Sequence, residues 1–132
     1  MAETQSPFDL LAQRFQIELY EAGLEREPDD ITLLSALALA LTEAGEYERG
    51  LDIDRRIIKL APDDPTANYN LACSLSLTGK LEDAIDALVD AIECGYEDFA
   101  HLLKDPDLQA ARDHDRFLDV LEVMEESETE EE

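Results

Sequence analysis

The chain repeats itself at an interval of 34 residues, and this periodicity limits the available folds more than any single motif. Pro28-Asp29-Asp30 returns as Pro62-Asp63-Asp64, and the same offset pairs Leu37 with Leu71, Ala38 with Ala72, Leu41 with Leu75, Gly45 with Gly79 and Ile58 with Ile92. A repeat of this length is a supersecondary unit that cannot bury its apolar face alone and must stack on a neighbour. In the first period Leu34, Leu37, Ala38 and Leu41 follow helical spacing, Glu43-Ala44-Gly45-Glu46 interrupts it, and Leu51, Ile57 and Ile58 resume it. The second period gives Leu71, Ala72 and Leu75, a break at Thr78-Gly79-Lys80, then Ala84, Ile85, Leu88, Ala91 and Ile92. Each period predicts a helical hairpin, with Gly45 and Gly79 supplying the backbone freedom that ends its first helix.

Helix starts are marked in the same consistent way. Ser6-Pro7, Asp64-Pro65 and Asp105-Pro106 each place a capping oxygen before a proline suited to the first helical turn. Asp30 can cap a helix beginning near Ile31 without the proline.

Over residues 31 to 95 the sequence resembles the tetratricopeptide repeat family. The resemblance rests on Leu34, Leu37, Ala38, Leu41, Gly45, Tyr47, Ile58, Leu60 and Pro62 in the first unit, and on Leu71, Ala72, Leu75, Gly79, Leu81, Ala84, Leu88 and Ala91 in the second. It implies an all-α fold, a short right-handed solenoid of antiparallel helix pairs with N- and C-terminal capping helices. Three positions depart from the family pattern: Gly50 replaces a small alanine, Asp54 an aromatic or aliphatic residue, and Asn68 a large apolar residue. The string Gly95-Tyr96, Asp105-Pro106-Asp107-Leu108, Arg112-Asp113 and Arg116-Phe117 resembles the segment that follows the last repeat in many bacterial members, which implies a bacterial origin.

These readings divide the chain into a flexible N-terminus (1–6), a single domain (7–124) and an acidic disordered tail (125–132) with no apolar residue. Within the domain, residues 7–27 form a capping helix with Phe8, Leu11, Phe15, Leu19 and Ala22 along one face. Residues 31–64 and 65–95 form the two repeats. Degenerate closing helices occupy 96–124, with an apolar surface from Phe99, Leu102, Leu103, Leu108, Phe117, Leu118, Leu121 and Met124.

Charge excludes more partners than it specifies. Thirty-four acidic residues against ten basic ones leave a net charge of −24, which repels nucleic acid and anionic membranes. Such acidity fits solubility, a salt-rich cell interior or a basic partner. No apolar run is long enough to span a bilayer, and the first residues have neither the basic start nor the apolar core of a signal peptide, so a cytoplasmic location is expected. Cys73 and Cys94 have neither Cys-x-x-Cys spacing nor a histidine cluster, and are expected to be buried thiols rather than a bridge or a zinc site.

No phosphate-binding loop or nucleophile motif is present, and Asp113-His114-Asp115 reads as a polar turn, so the chain is expected not to be an enzyme and to need no cofactor. A metal-dependent enzyme using His101, His114 and nearby acids is the rival reading from another class. Family geometry implies a peptide-binding groove from Ser35, Leu39, Thr42, Thr66, Tyr69, Asn70, Cys73 and Leu77, taking a peptide or protein segment of an unidentified partner. Asn70 matches the groove asparagine of relatives that grip acidic chaperone C-termini, but their Lys and Arg residues have no counterpart here, and the negative field opposes such a ligand. A small acidic chaperone for a secretion or assembly client is the alternative, and so short a stack is also compatible with a homodimer.

Overall fold

The computed structural model describes residues 5–130. Five longer helices come first: α1 (Pro7–Arg26), α2 (Ile31–Glu43), α3 (Tyr47–Leu60), α4 (Pro65–Leu77) and α5 (Leu81–Glu93). They are followed by α6 (Phe99–Leu102), a 3₁₀ turn (Pro106–Leu108), α7 (Gln109–Arg112) and the long α8 (Phe117–Glu130), and no strand occurs among the described residues.

The helix boundaries follow from side-chain chemistry. Ser6 Oγ accepts the Asp9 N–H at 3.1 Å while Asp9 Oδ2 accepts the Ser6 N–H, a reciprocal pair that fixes the start of α1. Asp30 accepts the Leu33 N–H at 3.1 Å to start α2, and Asp64 accepts the Thr66 and Ala67 N–H groups at 2.8 and 3.2 Å to start α4. At the opposite ends of α2 and α4, Gly45 and Gly79 both adopt φ +79°. This lets the next N–H groups, of Glu46 and Lys80, reach back to the carbonyls of Leu41 and Leu75 at 2.9 Å.

Each helix then packs on the next in sequence, α1 on α2, α2 on α3, α3 on α4 and α4 on α5, while α8 closes against α5 and the 3₁₀ turn and α7 pack on α4. The apolar interior falls into two clusters. Leu34, Leu37, Leu41 and Ile57 form the first with Ile17 and Leu24 of α1. Leu75, Ile85, Leu88, Leu102, Leu108 and Val120 centre the second.

Both ends differ from the sequence reading. In α1 the face carrying Phe8, Leu11, Phe15, Leu19 and Ala22 is exposed, and Ile17 and Leu24 on the other side are buried against α2. Gly23 lies on that buried side. A Cβ placed there would come within 3.1 Å of Leu33 Cδ1, so its lack of a side chain lets α2 approach closely. In α8 the buried stripe is Phe117, Val120 and Met124, whereas Leu118 and Leu121 face solvent, as does Leu103. Val120 contacts the core one turn from both neighbours, a spacing that the adjacent Leu118 and Leu121 obscure in the sequence.

The acidic segment after Met124 is helical through Glu130 instead of irregular. Glutamate is a good helix former, and extending a helix already anchored by packing avoids the cost of nucleation. Thr129 Oγ1 also donates to the Glu125 carbonyl at 2.9 Å. Of the expected flexible start, residues 1–4 lie outside the described residues, as do 131 and 132 of the expected tail. Both thiols are free, Cys73 buried and Cys94 only partly so.

Candidate functional site

A cleft opens where α2, α3 and α4 meet the segment after α5. From α2 come Ser35, Leu39 and Thr42, from α3 Asp54 and Ile57, and from α4 Tyr69, Asn70, Cys73, Ser74 and Leu77. His101, Asp105 and Asp107 close one side. Seven of the eight groove residues expected from the sequence thus meet in one place. Thr66 does not line the cleft; it is exposed in the first turn of α4, where its N–H is held by Asp64.

The seven are not equivalent. Leu39 is 61% exposed, and Asn70 is also open to solvent. Tyr69, by contrast, is only 5% exposed. Its ring stacks on Tyr96 with centroids 4.3 Å apart, and its hydroxyl donates to Asp105 Oδ2 at 2.7 Å. Tyr69 is therefore a wall of the cleft rather than a free anchor for a ligand.

Asp105 organises that wall. Its Oδ1 accepts the Asp107 N–H at 3.0 Å as the cap of the 3₁₀ turn, while Oδ2 also lies 3.2 Å from His101 Nε2. Arg112 fixes the backbone beneath by donating to the carbonyls of Leu102 and Asp105 at 2.9 and 2.7 Å. The Asp105-Pro106 cap signal located this turn in the sequence, but its approach to α4, 36 residues earlier in the chain, has no sequence signal.

Asp54 and Asn68 are the two polar residues at positions where the family favours apolar side chains, and both are buried with partners. Ser74 Oγ donates to Asp54 Oδ2. Asn68 Nδ2 donates to the carbonyls of Pro62 and Asp64 at 3.0 and 2.9 Å. Burial pushes the Asp54 carboxyl up to about 6, the hydrogen bond from Ser74 acting in the opposite direction. Burial also raises the Cys73 thiol, reinforced by the Asp105 charge, so this cysteine is not an activated nucleophile.

Among the described residues, one group combines metal-ligating atoms at close range: Cys73, Asp105 and Asp107, whose ligand atoms lie within 4.8 Å of one another. Asp105 already accepts from Tyr69 and the Asp107 backbone, so its oxygens are engaged in holding the turn. His114 is not in this group; its Nδ1 accepts the Arg116 N–H at 3.1 Å in the turn before α8. The two histidines of the rival metal-enzyme reading thus have separate local roles.

The stacked hairpins define a tetratricopeptide-type fold. Solved structures of MamA, a tetratricopeptide-like protein, share it. MamA from Desulfovibrio magneticus RS-1, residues 41 to the end, gives a TM-score of 0.62 at 22% identity over 89% of this chain and 69% of that one. MamA MSR-1 gives 0.66 at 18% identity over 92% and 70%. At these identities the likeness concerns the fold alone. Among curated proteins the chain is similar to a chloroplastic protein of Arabidopsis thaliana, 33% identical over 92 residues, which is 67% of this chain. The chain spans 28% of the length of that plant protein. No family model matches it.

Among the described residues no helix is long and apolar enough to cross a membrane.

Proposed function

We propose that the chain is a non-catalytic protein-interaction module whose cleft receives side chains of an extended partner segment. The observation that carries this reading is the lining of the cleft. It encloses about 170 Å³, less than the roughly 300 Å³ from which small-molecule pockets begin. That space suits one or two side chains of a peptide. Asp54, Asp105 and Asp107 line it, with no Lys or Arg among the lining residues, so an entering side chain is neutral or basic. Leu39 and Leu77 offer apolar contact, and the Asn70 amide can both donate to and accept from a peptide backbone.

Selection from a library of ten-residue peptides against the full chain tests this reading. The expected outcome is enrichment of Lys or Arg beside an apolar residue, with Leu39→Ala and Asn70→Ala each weakening the selected peptide by about tenfold in titration calorimetry. Undiminished binding by both variants would sink the proposal. Tyr69 is unsuitable for this test, because its loss breaks the wall of the cleft.

A further inference from the structure

Helix α1 carries two apolar faces on nearly opposite sides at 3.6 residues per turn. One, through Ile17 and Leu24, is covered by α2. The other is bare: Phe8, Leu11, Phe15 and Leu19 are 76%, 64%, 65% and 58% exposed. Large apolar side chains aligned on one face are unlike the scattered apolar residues of an ordinary surface.

The order of this stripe says what covers it. Its members, Phe8, Leu11, Phe15, Leu19 and Ala22, are spaced symmetrically about Phe15, with Leu11 and Leu19 four residues to either side and Phe8 and Ala22 seven. A two-fold interface pairs residue i with j and j with i. Two copies of α1 crossing antiparallel at Phe15 therefore place Leu11 on Leu19, the large Phe8 on the small Ala22, and Phe15 on itself. The charges agree with this register. Arg14 and Glu18 share one flank of the stripe and form no ion pair among the described residues. In the antiparallel pair, Arg14 of one copy lies about 3 Å along the helix axis from both Glu18 and Arg14 of the other, given the rise of ~1.5 Å per residue, so the two arginines meet flanked by the two glutamates. The symmetry makes two Arg14–Glu18 pairs.

We infer that the exposed face of α1 is a self-association surface on which a second copy of this chain docks antiparallel about Phe15. The four exposed side chains offer roughly 500 Å² per copy. A stable interface uses ~800 Å² a side. The surface is accordingly below the standard size and of the kind that weak, transient association uses. Two chains of net charge −24 repel one another, so added salt strengthens this association, whereas it weakens capture of a basic partner. None of the stripe residues lines the cleft, so this proposal and the peptide-binding reading fail independently.

Sedimentation equilibrium of the full chain from 1 μM to 1 mM, at about 50 and 500 mM NaCl, is the test. A monomer–dimer equilibrium tightened by salt is expected. Phe15→Glu, at an exposed position, should abolish it with an unchanged circular dichroism spectrum. Arg14→Glu and Glu18→Arg should each weaken it, and the two together should restore it. A chain that stays monomeric to 1 mM overturns the inference. So does open-ended growth, which a closed two-fold pair excludes, or a dimer that survives Phe15→Glu but is lost on Leu118→Glu, which assigns the contact to α8.

Discussion

Asp54 shows how a residue that fits the family pattern poorly is accommodated. It stands on α3 at the wall of the cleft, is 4% exposed, and has the Ser74 hydroxyl as its partner. Its acid form is favoured in the folded state, with a carboxyl that titrates at about 6, compared with ~3.9 for an ordinary aspartate. The folded chain therefore binds more protons than the unfolded one between those values. The contribution from this group is fully present below pH ~4 and is lost as pH rises through ~6. Asp54→Asn keeps the shape and removes the charge. The variant should match the parent near pH 4 and exceed it by about 2 kcal/mol at pH 7.5. Urea unfolding at the two pH values checks this, and an equal gap at both would show that ionisation of Asp54 is not the cause. Asn68 solves the same burial problem without titrating, by satisfying the carbonyls of Pro62 and Asp64.

Among the helices, ends were more legible than faces. Caps are local chemistry: Ser6, Asp30, Asp64 and Asp105 each bond an N–H two or three residues ahead. Gly79 closes α4 at φ +79°, and a Cβ there would meet no atom within 4 Å. Gly79→Ala therefore tests backbone conformation alone. It should cost about 1 kcal/mol, read as a lower urea midpoint with an unchanged slope. No loss of stability would mean that the turn relaxes into another conformation. Faces are harder to read, because periodicity shows that a stripe exists without showing which stripe meets a neighbour. In α1 the more strongly apolar stripe is the exposed one, and in α8 Val120 rather than Leu118 or Leu121 enters the core.

Across the fold as a unit, the scarce positive charges are placed as ties between distant segments. Arg49 bonds Glu21 of α1 at 2.9 Å, Arg56 reaches the Pro28 carbonyl at 2.8 Å, and Arg116 joins Asp86 of α5 to Asp119 of α8 at 2.8 and 3.2 Å. The rest of the field is negative and self-repelling. Raising NaCl from about 20 to 500 mM should therefore lift the melting temperature by about 5 °C, near 1 kcal/mol for a domain of this size. Calorimetry on the Phe15→Glu variant separates this effect from association, and a flat or falling midpoint would show that the ties outweigh the repulsion. The all-helical hairpin repeat, its turns and caps, and seven residues that share the cleft could all be read from the chain, because they depend on spacing and local hydrogen bonding. That Tyr69 is sealed by Asp105, that Asp54 is buried against Ser74, and which sides of α1 and α8 face solvent came only with the packed molecule. Those outcomes depend on contacts between segments 20 or more residues apart, and on the close approach of helices whose relative rotation no local pattern encodes.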